Sequence, residues 1–155
     1  MMKILMVCLG NICRSPMADG LLRKKVAENN LDVVVDSAGT GDWHVGEAPD
    51  ARMRETGKKN GVPIDELRGR QFKVEDFDEF DRIIVMDKSN FENVTKLSRD
   101  ENDTKKVELF LDLTHPGKGV EVPDPYFGGD EGFKNVFDML DAGTDVLIKE
   151  LQKDV

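Results

Sequence analysis

Residues 3–20 read KILMVCLGNICRSPMADG, and most of the architecture follows from this segment. Residues 3–8 are a continuous apolar run, typical of a strand buried on both faces. Ser15 is a good helix N-cap and Pro16 suits the first helical position, so a helix is predicted to begin there. Its apolar face consists of Ala18, Leu21, Leu22 and Val26. A short glycine-containing loop is therefore predicted to join a buried strand to a helix.

The same alternation continues along the chain. Further buried strands are predicted at 33–37 and 82–86, with a weaker one at 107–110. Helices are predicted from a cap at Asp50 to Gly61, shortly after Asp87, and over 133–151. This alternation favours an α/β fold with a parallel sheet and helices on both sides. Ligands in such folds bind at the carboxyl ends of the strands, which is where Cys8 lies.

The composition limits the classes of function. The 155 residues are 39% hydrophobic and 34% charged, which is typical of one globular domain spanning 1–155. The longest apolar run is too short to cross a bilayer, so we expect no membrane insertion and a cytoplasmic location. The net charge of −9 argues against a nucleic-acid partner but allows a small anion to bind at a local positive site. The acidic clusters at 76–81 and 100–103 are expected to be solvated.

The cysteine and histidine content argues against a metal site. The chain has two cysteines, Cys8 and Cys13, and two histidines, His44 and His115. Their spacing matches no zinc site, and two thiols five residues apart are not a disulfide scaffold. We therefore expect no metal and no cofactor.

The loop after the first strand has the features of an anion site. Gly10 and Asn11 can adopt positive φ, which lets successive N–H groups point inward at the start of the helix. Arg14 adds a planar guanidinium group, which can donate hydrogen bonds to two oxygens of a tetrahedral anion. The positive field favours the thiolate form of Cys8, which is then placed for in-line attack on phosphorus. The Ser15 hydroxyl is expected to hydrogen-bond the sulfur.

The simplest alternative for Cys8 is that of a small buried hydrophobic residue at a strand end. The full pattern, Cys-x(5)-Arg-Ser-Pro with glycine and asparagine inside, is much more specific than a cysteine alone. It lacks the lysine of the nucleotide-binding Gly-x(4)-Gly-Lys loop. A non-catalytic module that only binds phosphate remains an alternative at this point.

A second segment offers a proton donor for the leaving group. Residues 121–132 read EVPDPYFGGDEG, and Asp124 lies between two prolines that stiffen its backbone. A carboxyl group on a rigid loop can be aimed at a leaving oxygen. Proline, aspartate and glycine are also ordinary turn residues, so a surface turn is an equal alternative.

Four segments together resemble the low-molecular-weight protein tyrosine phosphatase family. They are VCLGNICRSP (7–16), DSAGTGDWHVGEAPDAR (36–52), FDRIIVMDKSN (80–90) and DPYFGG (124–129). The resemblance covers essentially the whole chain. It implies a flavodoxin-like three-layer sandwich with a four-stranded parallel sheet. It also implies metal-free hydrolysis of phosphotyrosine in proteins, and of small aryl phosphates, through a cysteinyl-phosphate intermediate.

The resemblance also implies roles for individual residues. Cys8 is the nucleophile, Arg14 binds phosphate, and Asp124 is the general acid and later the base. The loop residues that cradle the phosphate, or another oxyanion, are Leu9, Gly10, Asn11, Ile12, Cys13 and Ser15. Trp43 and Tyr126 are the walls that meet the substrate ring, and Ser37 supports the loop through Asn11. Leu67 stands where animal relatives have a histidine in that network. Asp87 is interpreted as a helix cap, with orientation of the loop as the alternative, and His44 is interpreted as structural.

Two related activities compete with this interpretation. Protein-arginine phosphatases typically have a small threonine where this chain has Ile12, which is bulkier and favours a planar phenyl ring. Thioredoxin-coupled arsenate reductases relay oxidation through further cysteines, and this chain has none after Cys13.

Overall fold

The computed structural model describes residues 1–153, apart from the side chains of Phe127 and Asp130. Short 3₁₀ turns occur at Phe110–Asp112 and Pro125–Phe127. The strands are β1 (Met2–Cys8), β2 (Val33–Gly39), β3 (Arg82–Val85) and β4 (Val107–Leu109). The helices are α1 (Arg14–Glu28), α2 (Ala51–Lys59), α3 (Asp76–Glu79), α4 (Lys88–Thr95), α5 (Glu101–Lys105) and α6 (Asp130–Lys153).

The four strands form one parallel sheet in the order β2-β1-β3-β4. The register pairs Cys8 with Gly39, so the carboxyl ends of β1 and β2 lie side by side. All four predicted strands are confirmed, with shifts at their ends. Residue Met86 lies beyond β3, and Phe110 opens a 3₁₀ turn after β4.

Two hydrophobic cores cover the two faces of the sheet, which explains why β1 is apolar throughout. Ile4 and Met6 face a core built with α1 and α6. Leu5 and Val7 face a second core, which contains Phe77 of α3. The α/β fold class, a flavodoxin-like three-layer sandwich with helices on both faces, is confirmed.

The start of α1 differs from the prediction. The residue at the N-cap is Cys13, without a side-chain capping bond, and Ser15 and Pro16 lie inside the first turn. The predicted cap at Ser15 is therefore wrong. Its hydroxyl instead forms hydrogen bonds with the Cys8 sulfur and the Asn11 side chain.

Two other helix predictions are confirmed in detail. The side chain of Asp50 accepts the Arg52 N–H and caps α2, and Gly61 follows that helix with a φ of 75°. The last helix continues through Gly143, where a Cβ would lie 2.2 Å from the ring of Phe110. This close packing accounts for a glycine at a position that otherwise favours alanine.

No helix within residues 1–153 is both long enough and apolar enough to cross a membrane.

Candidate active site

A cavity of about 270 Å³ opens at the carboxyl end of β1. Its lining contains most of the residues that the sequence predicts for the site. They are Cys8, Leu9, Gly10, Ile12, Cys13, Arg14, Trp43, Asp124 and Tyr126, and His44 joins them. Asn11, Ser15 and Ser37 are buried behind the loop. The structure therefore brings together segments that are more than 100 residues apart in the chain.

The sulfur of Cys8 lies at the end of a short chain of hydrogen bonds. Cys8 Sγ is 3.0 Å from Ser15 Oγ, and both residues are buried. The Asn11 side-chain NH₂ donates to the same Ser15 oxygen at 2.7 Å. Because that oxygen already accepts a bond, the single Ser15 proton is available to the sulfur or to the Ala38 carbonyl at 3.3 Å. A hydroxyl that donates to sulfur stabilises the thiolate.

Asn11 organises the loop from its centre. Its φ is 57°, a left-handed conformation that asparagine tolerates, whereas Gly10 does not have a positive φ. Its NH₂ donates to Ser15 and also to Ser37 Oγ at 3.0 Å. Its Oδ1 accepts the Arg70 peptide N–H at 3.0 Å. This bond identifies which end of the side-chain amide faces the Ser15 and Ser37 hydroxyls. In the flipped orientation the NH₂ group would face the Arg70 N–H, and two donors would oppose each other.

Arg70 is anchored by two carboxylates, Asp76 and Asp36, of which Asp76 belongs to an acidic cluster that is expected from the sequence to be solvated. Its Nη1 and Nη2 each contact Asp76 at 3.1 Å, and its Nε contacts Asp36 at 3.1 Å. Asp76 is 1% exposed and Asp103 is 4% exposed. The expectation that both acidic clusters are solvated is therefore wrong at these two positions. Each buried carboxylate is paired with an arginine, and Arg99 is the partner of Asp103.

The guanidinium of Arg14 is buried and already oriented. Its Nη1 donates to Asp87 Oδ2 at 2.7 Å and to the Val122 carbonyl at 3.0 Å. Its Nη2 is 3.7 Å from Asp124 Oδ2. Burial acts to lower the pKa of Arg14, but the negative charges of Cys8, Asp87 and Asp124 together raise it above its ordinary value. Arg14 is therefore a permanent cation beside the sulfur.

Asp87 has two functions, of which the sequence analysis favoured one. Its Oδ1 accepts the Asn90 N–H at 2.8 Å and caps α4, as predicted. Its Oδ2 holds Arg14. This second contact matches the alternative role of orienting the loop, but no spacing rule identifies Arg14 as the partner because the two residues are 73 positions apart.

Asp124 and two aromatic rings form the outer part of the cavity. The Asp124 side chain is 28% exposed, and its Oδ1 accepts the Tyr126 N–H at 3.0 Å. Trp43 and Tyr126 are 67% and 39% exposed and both line the cavity, so part of each ring is accessible there. His44 lies beside them, with its ring centroid 6.3 Å from that of Tyr126. Its place directly after Trp43 was the available signal for its presence in the lining.

The second thiol differs from the first. Burial, together with the charges of Asp50 and Cys8, raises the pKa of Cys13 above its ordinary range. Cys13 therefore remains a protonated thiol. Within residues 1–153, no three His, Cys, Asp or Glu side chains are grouped so that they could hold a metal ion.

Gly39 provides a test of how closely the loop packs against the sheet. A Cβ at this position would lie 2.7 Å from the Leu9 carbonyl oxygen and 3.1 Å from the Asn11 nitrogen. Both are backbone atoms of the loop, so the loop itself has to move. We expect Gly39→Ala to weaken phosphate inhibition by about tenfold or more, given the usual cost of overpacking of about 1–3 kcal/mol. Competitive inhibition by phosphate measures this, and Gly46→Ala, where a Cβ meets nothing within 4 Å but φ is 83°, controls for backbone strain alone. Equal losses in the two variants would contradict the prediction.

Comparisons with known proteins agree over nearly the whole chain. A family model described as low molecular weight phosphotyrosine protein phosphatase matches residues 3–155. An enzyme of that description from Schizosaccharomyces pombe is 43% identical over 141 residues, 89% of each chain. A protein tyrosine phosphatase structure from Entamoeba histolytica has a TM-score of 0.92 at 38% identity and covers 99% of both chains. A Drosophila arginine phosphatase structure has a TM-score of 0.89 at 34% identity, covering 96% of this chain and 97% of its own.

Proposed function

The chain belongs to the low molecular weight phosphotyrosine protein phosphatase family, and from that premise we propose that Cys8, Arg14 and Asp124 carry out its chemistry. The protein is a hydrolase that cleaves phosphotyrosine in proteins through a cysteinyl-phosphate intermediate. The assignment of steps to residues rests on one observation above all. The Cys8 sulfur, 3.0 Å from the Ser15 hydroxyl, lies in the same cavity as Arg14 and Asp124.

In the first step the Cys8 thiolate attacks phosphorus and a P–S bond forms. The P–O bond to the tyrosine ring breaks, and the protonated Asp124 carboxyl group donates its proton to the departing phenolate oxygen. The loop N–H groups from Leu9 to Ser15 and the Arg14 guanidinium bind the equatorial oxygens, on which negative charge accumulates.

In the second step water attacks the phosphocysteine. The Asp124 carboxylate takes a proton from that water, the P–S bond breaks, and inorganic phosphate leaves. The Cys8 thiolate returns as the leaving group, stabilised by the Ser15 hydroxyl that Asn11 orients. The same carboxyl group is thus acid in one step and base in the next.

The shape of the cavity supports an aryl phosphate as substrate. Trp43, Tyr126 and Ile12 all line the cavity and provide apolar surface for a planar ring. A phosphoarginine substrate is not favoured, because the matched family and the most similar relatives are tyrosine phosphatases. The partner is therefore a tyrosine-phosphorylated protein. After its hydrolysis, inorganic phosphate is the oxyanion bound in the site.

We further propose that residues 1–155 form a single phosphatase domain that acts in the cytoplasm. The family model extends over 3–155, and one sheet carries both cores. Both thiols are free, and a thiolate nucleophile needs a compartment that keeps thiols reduced.

Replacement of Asp124 tests the proposed acid. We expect Asp124→Ala to lower kcat/KM for phenyl phosphate by about 10²–10³, because phenolate is a poor leaving group that needs a proton. The loss for 2,4-dinitrophenyl phosphate should be about tenfold or less, since its leaving group is stable without one. Glu131→Ala, which removes an exposed carboxylate seven residues later, is the control. Equal losses for the two substrates would mean that another residue is the acid.

A further inference from the structure

Arg52 links three parts of the molecule at the edge of the cavity. It lies in the first turn of α2, and its Nε and Nη2 contact the two carboxylate oxygens of Asp50 at 3.1 and 3.0 Å. The same Nη2 donates to the Tyr126 carbonyl at 3.1 Å. Its guanidinium carbon is 4.6 Å from the ring centroid of Phe133 in α6 and 5.6 Å from that of Tyr126. Both distances are within the range of cation–π contacts.

The Asp50 end of this link is joined to the phosphate loop. The Asp50 N–H donates to the Ile12 carbonyl at 2.8 Å. The Asp50 side chain is 11% exposed and also caps α2 through the Arg52 N–H. Arg52 is thereby fixed relative to the loop that surrounds Cys8.

The other end of the link reaches the proposed acid. The peptide N–H of Tyr126 donates to Asp124 Oδ1 at 3.0 Å, and its carbonyl accepts from Arg52. Tyr126 is therefore held from both sides, by Asp124 through its nitrogen and by Arg52 through its oxygen. A shift of this residue would move the hydrogen bond that orients the Asp124 carboxyl group.

We propose that Arg52 is a positioning residue that holds the Asp124 segment at a set distance from the phosphate loop, so that the Asp124 carboxyl group reaches the leaving oxygen. The proposal rests on the assignment of Asp124 as the general acid. Arg52 is not among the residues that line the cavity around the Cys8 sulfur, so we expect its effect on the reaction to pass through Asp124. An arginine suits this task because its planar fork can hold a carboxylate and a carbonyl together while its face packs on a ring.

The proposal predicts a loss that depends on the leaving group. We expect Arg52→Ala to lower kcat/KM for phenyl phosphate by about tenfold and that for 2,4-dinitrophenyl phosphate by about twofold or less. The inhibition constant for inorganic phosphate should stay within about twofold, because the loop that binds it is intact. Arg54→Ala is the control, since Arg54 lies on the same helix and bonds to the Pro49 carbonyl and to Asp65. Arg54→Ala should change kcat/KM for either substrate by no more than about twofold.

A double-mutant cycle separates positioning from general destabilisation. In the Asp124→Ala background, Arg52→Ala should add a loss of about twofold or less, because the group through which it acts is gone. If Arg52→Ala gives too little folded protein, Arg52→Lys takes its place. A lysine keeps a positive charge near Phe133 but cannot bond to Asp50 and to the Tyr126 carbonyl at once, so the same pattern is expected.

The outcomes distinguish this proposal from the function on which it rests. Equal losses for both substrates in Arg52→Ala, or an undiminished loss in the Asp124→Ala background, would overturn the role of Arg52 alone. If Asp124→Ala itself lowers kcat/KM for both substrates equally, the assignment of Asp124 as the acid is wrong, and so is the role of Arg52 that rests on it.

Discussion

Cys8→Ser is expected to abolish turnover of aryl phosphates while phosphate binding persists. A serine hydroxyl at this position is not ionised at neutral pH and is a far weaker nucleophile than a thiolate. We expect kcat to fall by a factor on the order of 10⁴ or more. The loop N–H groups and Arg14 remain, and the negative sulfur no longer opposes an anion. Phosphate should therefore bind as tightly as before, or more tightly.

Trp43 supplies the binding measurement for this variant. It is the single tryptophan of the chain and lies at the entrance of the cavity, so its fluorescence reports occupancy by phosphate or an aryl phosphate. Rapid quenching with a labelled substrate should trap a phosphoenzyme in the unmodified protein and in Cys13→Ser, since the Cys13 thiol stays protonated. It should trap none in Cys8→Ser. Turnover by Cys8→Ser, or a phosphoenzyme that depends on Cys13, would refute the assignment of the nucleophile.

The framework of this site can be predicted from sequence because its signals are local. The apolar run before Cys8 predicts a strand buried on both faces, and β1 is such a strand. Asp50 has the residue type and place of a helix cap, and it is one. Most of the residues expected at the site line one cavity, and the others are buried behind its loop, because the carboxyl ends of parallel strands lie at one edge of the sheet.

The local rules fail where a distant partner decides the role of a side chain. Ser15 satisfies the rule for an N-cap, yet its hydroxyl lies beside a sulfur and an amide that only the folded loop brings near. The acidic run around Asp76 predicts a solvated carboxylate, but Arg70 and the N–H of Lys73 both donate hydrogen bonds to it. The link through Arg52 joins α2 to Tyr126 across 74 positions. No spacing rule relates residues that far apart.

Arg14→Lys is expected to produce the second large loss, and to affect binding as well as rate. A lysine keeps the positive charge but has one nitrogen, which cannot hold Asp87, the Val122 carbonyl and two oxygens of a phosphate at once. We expect kcat/KM for aryl phosphates to fall by about 10²–10³, the usual cost of a lost donor to transition-state charge. The inhibition constant for phosphate should rise by about tenfold or more. Lysine is preferred to alanine because loss of the buried cation would leave Asp87 without its cationic partner, at a cost of about 3–5 kcal/mol.

Arg82→Lys is the matched control for this substitution. Arg82 pairs with Glu108 at 2.6 Å and is 19% exposed, but it lies at the first residue of β3, at the end of the sheet opposite the cavity. Both variants should unfold at similar temperatures, and Arg82→Lys alone should keep its rate. If Arg14→Lys retains kcat and loses only phosphate affinity, Arg14 binds the ground state without stabilising the transition state. If it loses neither, the loop N–H groups alone bind the phosphate, and the role assigned to the guanidinium is wrong.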